Sequence, residues 1–211
     1  MKILATAVLL TPLACAQTFV VDAANGPGTN FTDIATAVAA VPDGAILEVR
    51  PGEYGVFQIQ NKSLTIVGTA GVLVRSGIEG TAFDVVGLAS DQAVTVRQVA
   101  WDGVFPGLFS SVVCRNNRGT VLIDECSPTS GGGRVIFTDC DRAFVRDCLL
   151  RSNSVTTAPL DCYSSNVVVT GTDIRSQAFC LRQGGGRVQI AASALTTMVP
   201  IAFGQAAVFV G

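Results

Sequence analysis

Aliphatic residues recur at alternate positions along most of the chain: Leu47 and Val49, Leu64 and Ile66, Val94 and Val96, Val121 and Ile123, Ala143 and Val145, Val167 and Val169, Val188 and Ile190, and Val208 and Val210. A period of two sends such residues to one side of a β-strand, so each pair predicts a strand with an aliphatic inner face. Successive pairs begin 17 to 30 residues apart, a spacing typical of solenoids, and the variation in length falls to loops. A second set of apolar segments lies upstream: AFDVV (82–86), SSVVC (110–114), RVIFTDC (134–140), APLDC (158–162), QAFC (177–180) and PIAF (200–203). Each coil therefore carries at least two strands. Stacked at about 4.8 Å per rung, about eight such coils form an all-β parallel solenoid around one aliphatic core.

One stretch has a different period. Phe31, Ile34, Ala35 and Val38 fall at i, i+3, i+4 and i+7, which predicts a short α-helix with Asn30 as N-cap and Asp33 three residues on. Pro42-Asp43-Gly44 ends it. The boundaries read as a signal peptide over 1–16, an N-terminal strand and capping helix over 17–44, and a parallel β-helix over 45–211. The last strand, Ala207 to Gly211, is apolar and has no following residues to cover it. It marks either a cut through a longer solenoid or a surface for end-to-end self-association.

Composition narrows the setting. Only 14% of the 211 residues are charged and 22 are glycine, which fits short buried strands joined by tight turns. Lys2, the apolar run from Ile3 to Leu13 and the small residues Ala14-Cys15-Ala16 predict a secretory signal cleaved before Gln17, with acylation of Cys15 as the alternative. Nothing later in the sequence is long and apolar enough to predict a transmembrane segment, and no basic face points to nucleic acid. The expected product is secreted, extracellular or at the cell surface.

Without Cys15, six cysteines remain, and an even number in an exported chain suggests disulfides. Cys126 and Cys148 occupy equivalent positions one rung apart. Cys114, Cys140, Cys162 and Cys180 form a similar series on the other sheet. Rung spacing lies within disulfide reach, which predicts Cys126 to Cys148, Cys114 to Cys140 and Cys162 to Cys180; a ladder of buried thiols is the alternative. The chain contains no histidine, which removes Ser-His and Cys-His nucleophile chemistry and the usual zinc sites.

The segment NFTDIATAVAAVPDGAILEVRPGEY, followed by NKSLTIVG, resembles the opening of right-handed parallel β-helix proteins of the pectin-lyase-like superfamily, notably pectinesterases and secreted bacterial β-helix proteins. The resemblance implies a right-handed β-helix whose N-terminal end is capped by the short helix. The catalytic motifs do not follow. Gly119-Thr120-Val121-Leu122-Ile123-Asp124 faintly echoes one pectinesterase strand, the remaining pectinesterase motifs have no counterpart, and the histidine of the hydrolases is missing. The lyase pattern, calcium-binding carboxylates with an arginine base, is the chemistry that composition still permits.

Two outward columns carry candidates. Three residues after each anchor stand Arg97, Asp124 and Arg146, and one position further stand Gln98, Glu125 and Asp147. Arg97, Asp124 and Arg146 are the catalytic candidates, and Glu125 with Asp147 the candidate Ca²⁺ ligands, with Arg146 facing a uronate or acting as base. A solvated charge ladder is the competing interpretation. One residue after the anchors, Leu122, Phe144 and Val168 form an apolar stripe, suited to burial under a loop or against a partner; with Gln98 they are the binding candidates. No cofactor is required, and Ca²⁺ is the one the carboxylates would accept. Together these features predict a secreted, non-catalytic β-helix that binds polysaccharide or builds the cell surface. The alternative is a Ca-dependent polysaccharide lyase of the pectate type or a related uronate-active or pectinesterase-like enzyme.

Overall fold

The computed structural model of the chain describes residues 16–76, 80–103, 110–129, 132–154, 156–177 and 179–197. The N-terminal residues up to 15 and the strands expected at 200–203 and 207–211 lie outside them. In chain order the elements are β1 (Thr18–Val21), α1 (Ile34–Ala40), β2 (Ala45–Val49), β3 (Gly52–Tyr54), β4 (Phe57–Gln60), β5 (Leu64–Gly68), β6 (Val72–Ser76), β7 (Thr81–Val86), β8 (Ala93–Arg97), β9 (Ala100–Gly103), β10 (Ser110–Asp124), β11 (Ser127–Pro128), β12 (Gly133–Arg146), β13 (Leu149–Ser152), β14 (Leu160–Thr170), β15 (Asp173–Ser176), β16 (Leu181–Ala191) and β17 (Ala194–Thr197).

These strands wind into a parallel β-solenoid of about seven turns. One face follows the ladder β1-β2-β5-β8-β10-β12-β14-β16. The second consists of β4, β7 and the N-terminal halves of the four long strands, which bend and continue into the first face. A third face, formed by β3, β6, β9 and β11 and then by β13, β15 and β17, was not visible in the hydrophobic pattern. Its inner positions are mixed: β6 alternates Val72 and Val74 before Ser76, but Leu150 and Ile174 are each followed two residues on by a buried serine, Ser152 and Ser176, and Tyr54 and Trp101 fill inner positions of β3 and β9.

From Val94 onward the predicted register holds: Val121 is opposite both Val94 and Ala143, and Val167 is opposite both Ala143 and Val188. Between β2 and β5 it is displaced by two residues, with Leu47 opposite Ile66 and Ala45 opposite Leu64. A shift of two keeps every side chain on its own face, so apolar alternation cannot detect it. Backbone bonds from Gly44 N to Ser63 O (2.8 Å) and from Gly52 N to Gly71 O (3.0 Å) hold the observed pairing. Of the QAFC segment, Gln177, Phe179 and Cys180 lie outside any strand, and β16 begins at Leu181.

The helix also starts later than predicted. Asp33 is its N-cap, accepting from Thr36 N at 3.0 Å, while Asn30 Oδ1 accepts from Val20 N. Phe31 lies upstream and packs against Phe19. Ile34, Ala37 and Val38 form the buried face of α1. Lys62 Nζ donates to the carbonyls of Val38 and Val41 at 2.7 and 2.6 Å, satisfying groups that a helix end leaves orphaned.

The coils turn at single residues of positive φ. Gln98, Glu125, Asp147, Gly171 and Ala192 mark the corner after the first face, and Asn61, Asn116, Asp139 and Ser164 the corner before it. The side chain after the turning residue often folds back onto the carbonyl before it. Thr172 Oγ1 donates to Thr170 O at 3.0 Å, Ser165 Oγ to Tyr163 O at 2.7 Å, and Cys126 Sγ and Cys148 Sγ to Asp124 O and Arg146 O at 3.1 Å each.

That last pattern revises the cysteine pairing. All six cysteines are buried thiols. Cys126 and Cys148 do share a corner column, but each thiol is directed to a carbonyl of its own rung. The other four do not form one series. Phe137 is opposite both Cys114 and Cys162, Cys140 is opposite Asn117, and Cys162 is opposite Gln183. Register shifts at the bends of β10 and β12 separate these columns. Cys180 precedes β16 altogether. Burial pushes the thiols above their ordinary range, Cys148 to about 12, so thiolate chemistry is suppressed.

Candidate functional site

The outer surface of the first face has two ends with different chemistry, both reached by the same strands. Along β12 the outward residues are Arg142, Phe144 and Arg146, alternating with inward Ala143 and Val145.

The end at Arg146 is the charge cluster predicted from the sequence. Asp124 stands in register between Arg97 and Arg146 and is 1% exposed. Arg146 binds it bidentately, Nε to Oδ1 at 2.8 Å and the terminal nitrogen to Oδ2 at 2.6 Å, while Arg97 Nε lies 3.5 Å from Oδ2. Hydrogen bonding by Arg146 holds the Asp124 carboxyl below its usual range against the opposing effect of burial, and the same contact raises Arg146. Glu125 is taken by Arg97 and by Gln98 Nε2, the latter at 2.7 Å. Asp147 turns over the next rung: a Cβ added at Gly171 would meet its Oδ1 at 2.0 Å.

The five charged candidates are therefore brought together, with the two guanidiniums closed onto Asp124 and Glu125 and Asp147 3.9 Å from Arg146 Nε. A Ca²⁺ site needs six to eight oxygens free to face the ion. Here both Asp124 oxygens and both Glu125 oxygens already accept from guanidinium or amide groups, which leaves Asp147, 57% exposed and 3.9 Å from Arg146 Nε, as a lone carboxylate, too few for the ion. Among the described residues no group of three or more His, Cys, Asp or Glu is placed to hold a metal. Neither arginine is available as a base, because each is fastened to a carboxylate and Arg146 is raised further by it.

The other end is open. Leu122, Phe144 and Val168 are in register as predicted, and Phe144 is 38% exposed. Phe144 and Val168 line a groove of about 360 Å³ together with Asp141, Arg142, Asn166, Arg187 and Gln189. Arg142 is anchored by its terminal nitrogen to the carbonyls of Ser90 and Arg118. Arg187 is exposed and has no ion-pair or hydrogen-bond partner among the described residues. Gln98, the fourth binding candidate, lies at the charge cluster and not in this groove.

Arg142, Asn166 and Arg187 did not emerge from the sequence as candidates, although the signal was present. They immediately precede the anchors Ala143, Val167 and Val188, and a strand sends the residue before an inward position outward just as it does the residue after. Asn166 is opposite Arg187, and Arg142 precedes the Ala143–Val167 pair, which places all three in one column.

A second ion-pair ladder occupies the second face. Asp161 is fully buried between Arg134, whose terminal nitrogen meets Oδ2, and Arg182, whose Nε is 3.5 Å from Oδ1. Arg182 also donates to Tyr163 Oη at 3.3 Å and to Thr156 O at 2.7 Å, tying the preceding loop to the sheet.

No protein-family model matches the chain, and no curated protein matches it. Among solved structures it is similar to pectin methylesterase from Aspergillus niger in deglycosylated form, at 11% identity over 90% of this chain and 88% of that one, with a TM-score of 0.35. It is also similar to the same enzyme in penultimately deglycosylated form, at 11% identity over 92% and 93%, with a TM-score of 0.33. No helix among the described residues is long and apolar enough to cross a membrane.

Proposed function

We propose that this chain is a secreted, non-catalytic parallel β-helix protein that binds polysaccharide along its first face. The observation that carries this reading is the groove over Phe144: an exposed aromatic ring, two amides in Asn166 and Gln189, and an unpaired guanidinium in Arg187. An aromatic ring accepts the apolar face of a sugar, and amide and guanidinium groups bond its hydroxyl and acidic substituents. Asp141 is the one carboxylate lining the groove, whereas glycoside hydrolysis ordinarily needs two facing each other. The Asp124 cluster supports the strands structurally instead of serving as a lyase centre.

The test screens the secreted chain for binding and cleavage across acidic and neutral polysaccharides, with and without Ca²⁺. Binding without cleavage, weakened about tenfold in Phe144→Ala and retained in Asp124→Ala, is the expected result. Unsaturated uronate products that require Ca²⁺ and disappear in Asp124→Ala would replace this reading with the lyase.

A further inference from the structure

The column Arg142, Asn166, Arg187 runs parallel to the solenoid axis, one residue per rung, in the order cation, amide, cation. Beside it runs a second column of Phe144, Val168 and Gln189, with Val168 opposite both Phe144 and Gln189. Rungs of a parallel sheet lie about 4.8 Å apart, so the two arginine positions are separated by about 10 Å. A ligand extended along the axis therefore meets a positive charge on alternate rungs, with a neutral amide between.

The groove's own charges reinforce this pattern. Arg142 and Arg187 against Asp141 leave it net positive, and the middle rung has no cation. Arg142 uses its terminal nitrogen on the Ser90 and Arg118 carbonyls, which fixes the arm and leaves Nε and the second terminal nitrogen available to a ligand. The Arg187 side chain has no partner among the described residues. A carboxylate set against Asn166 would exchange its hydration for a neutral amide with Asp141 lining the same groove, an unfavourable trade. A hydroxyl or acetamido group there finds both a donor and an acceptor.

We propose that the groove takes an acidic polysaccharide whose carboxylates recur on every second sugar, an alternating copolymer of uronate and neutral sugar, lying along the solenoid axis with one sugar per rung. The proposal rests on the polysaccharide-binding reading above and specifies its ligand. Arg142 and Arg187 each engage a uronate, Asn166 selects the neutral unit between them, and Phe144 with Val168 supports the ring faces.

Titration calorimetry of the full chain with size-matched oligosaccharides tests it. The probes are hyaluronan, in which uronate alternates with N-acetylhexosamine, polygalacturonate, with an acid on every sugar, and neutral cello-oligosaccharides. Hyaluronan is expected to bind at least tenfold more tightly than polygalacturonate. Arg187→Gln should lower hyaluronan affinity about tenfold, and Asn166→Arg, which makes the column continuously cationic, should move the preference toward polygalacturonate. Both side chains are exposed, and unchanged melting temperatures would confirm intact folds. Equal or tighter binding of polygalacturonate by the unmodified chain, or no shift in preference with Asn166→Arg, would overturn the alternating-charge proposal while leaving polysaccharide binding in place. Binding of the neutral probe alone would do the same. Failure of every probe to bind would remove both.

Discussion

Arg142 and Arg146 lie four residues apart on one strand and point to the same side of it, yet they face opposite circumstances. Arg146 closes onto a buried Asp124, which also attracts Arg97, and Glu125 is absorbed by Arg97 and Gln98. Arg142 borders an open groove in which Arg187 has no counterion among the described residues and Phe144 is partly exposed. A dense cluster of charge in a sequence invites a catalytic interpretation, but density also lets charges satisfy one another. The sparser end retains unspent interactions, and those are what a ligand can use.

Asp124→Ala is the largest perturbation of this contrast. It removes a buried carboxylate and its charge-assisted bonds, and because Arg97 and Arg146 are half-exposed and can rehydrate, the expected loss is about 1–3 kcal/mol, measured by chemical denaturation. Polysaccharide binding should not change. Phe144→Ala reverses the outcome: stability should move by less than about 1 kcal/mol because the ring is partly exposed, while glycan affinity falls about tenfold, the scale of a central aromatic contact. If Asp124→Ala abolished binding while the fold survived, the division between the two ends would fail.

A smaller effect appears in acid. The Asp124 carboxyl titrates below its unfolded range, so its stabilising contribution is whole above that range, at pH well over about 4, and is lost as pH falls through the lower, folded value. Arg146→Gln should reduce the acid sensitivity of the melting temperature, whereas Arg187→Gln should leave it unaltered. Smallest of all is the response at the corner beside the cluster. With Cys148 raised to about 12 by burial, neither it nor Cys126 should react with a thiol reagent at pH 8 in the folded chain. All six thiols of the described chain should react after denaturation without reductant. Detection of two or fewer would restore the disulfide pairing predicted from rung spacing.

Much of this architecture was legible in the alternating aliphatic positions, because inward side chains of a solenoid obey a period of two regardless of loop length. The columns Leu122–Phe144–Val168 and Arg97–Asp124–Arg146 were placed correctly for the same reason. Other features were not legible. A two-residue slip at β2 leaves no trace in hydrophobicity. The third face mixes aliphatic, aromatic and buried serine positions, Leu150 and Ile174 beside Ser152 and Ser176, on strands too short to show a period. The cysteine columns depend on bends within β10 and β12, where an added residue displaces everything beyond it. The groove leaves little local signal, because its residues, Arg142, Asn166 and Arg187, are scattered through the sequence and meet only when coils stack.

Lys62 has a consequence in time as well as space. The two carbonyls at the end of α1 are satisfied by an ammonium that follows them by 24 and 21 residues, and a helix of seven residues is too short to persist alone. The end of the helix therefore depends on a residue of a later coil. Lys62→Met should make the amides of α1 the first to exchange with solvent, while those of β10 and β12 keep their protection.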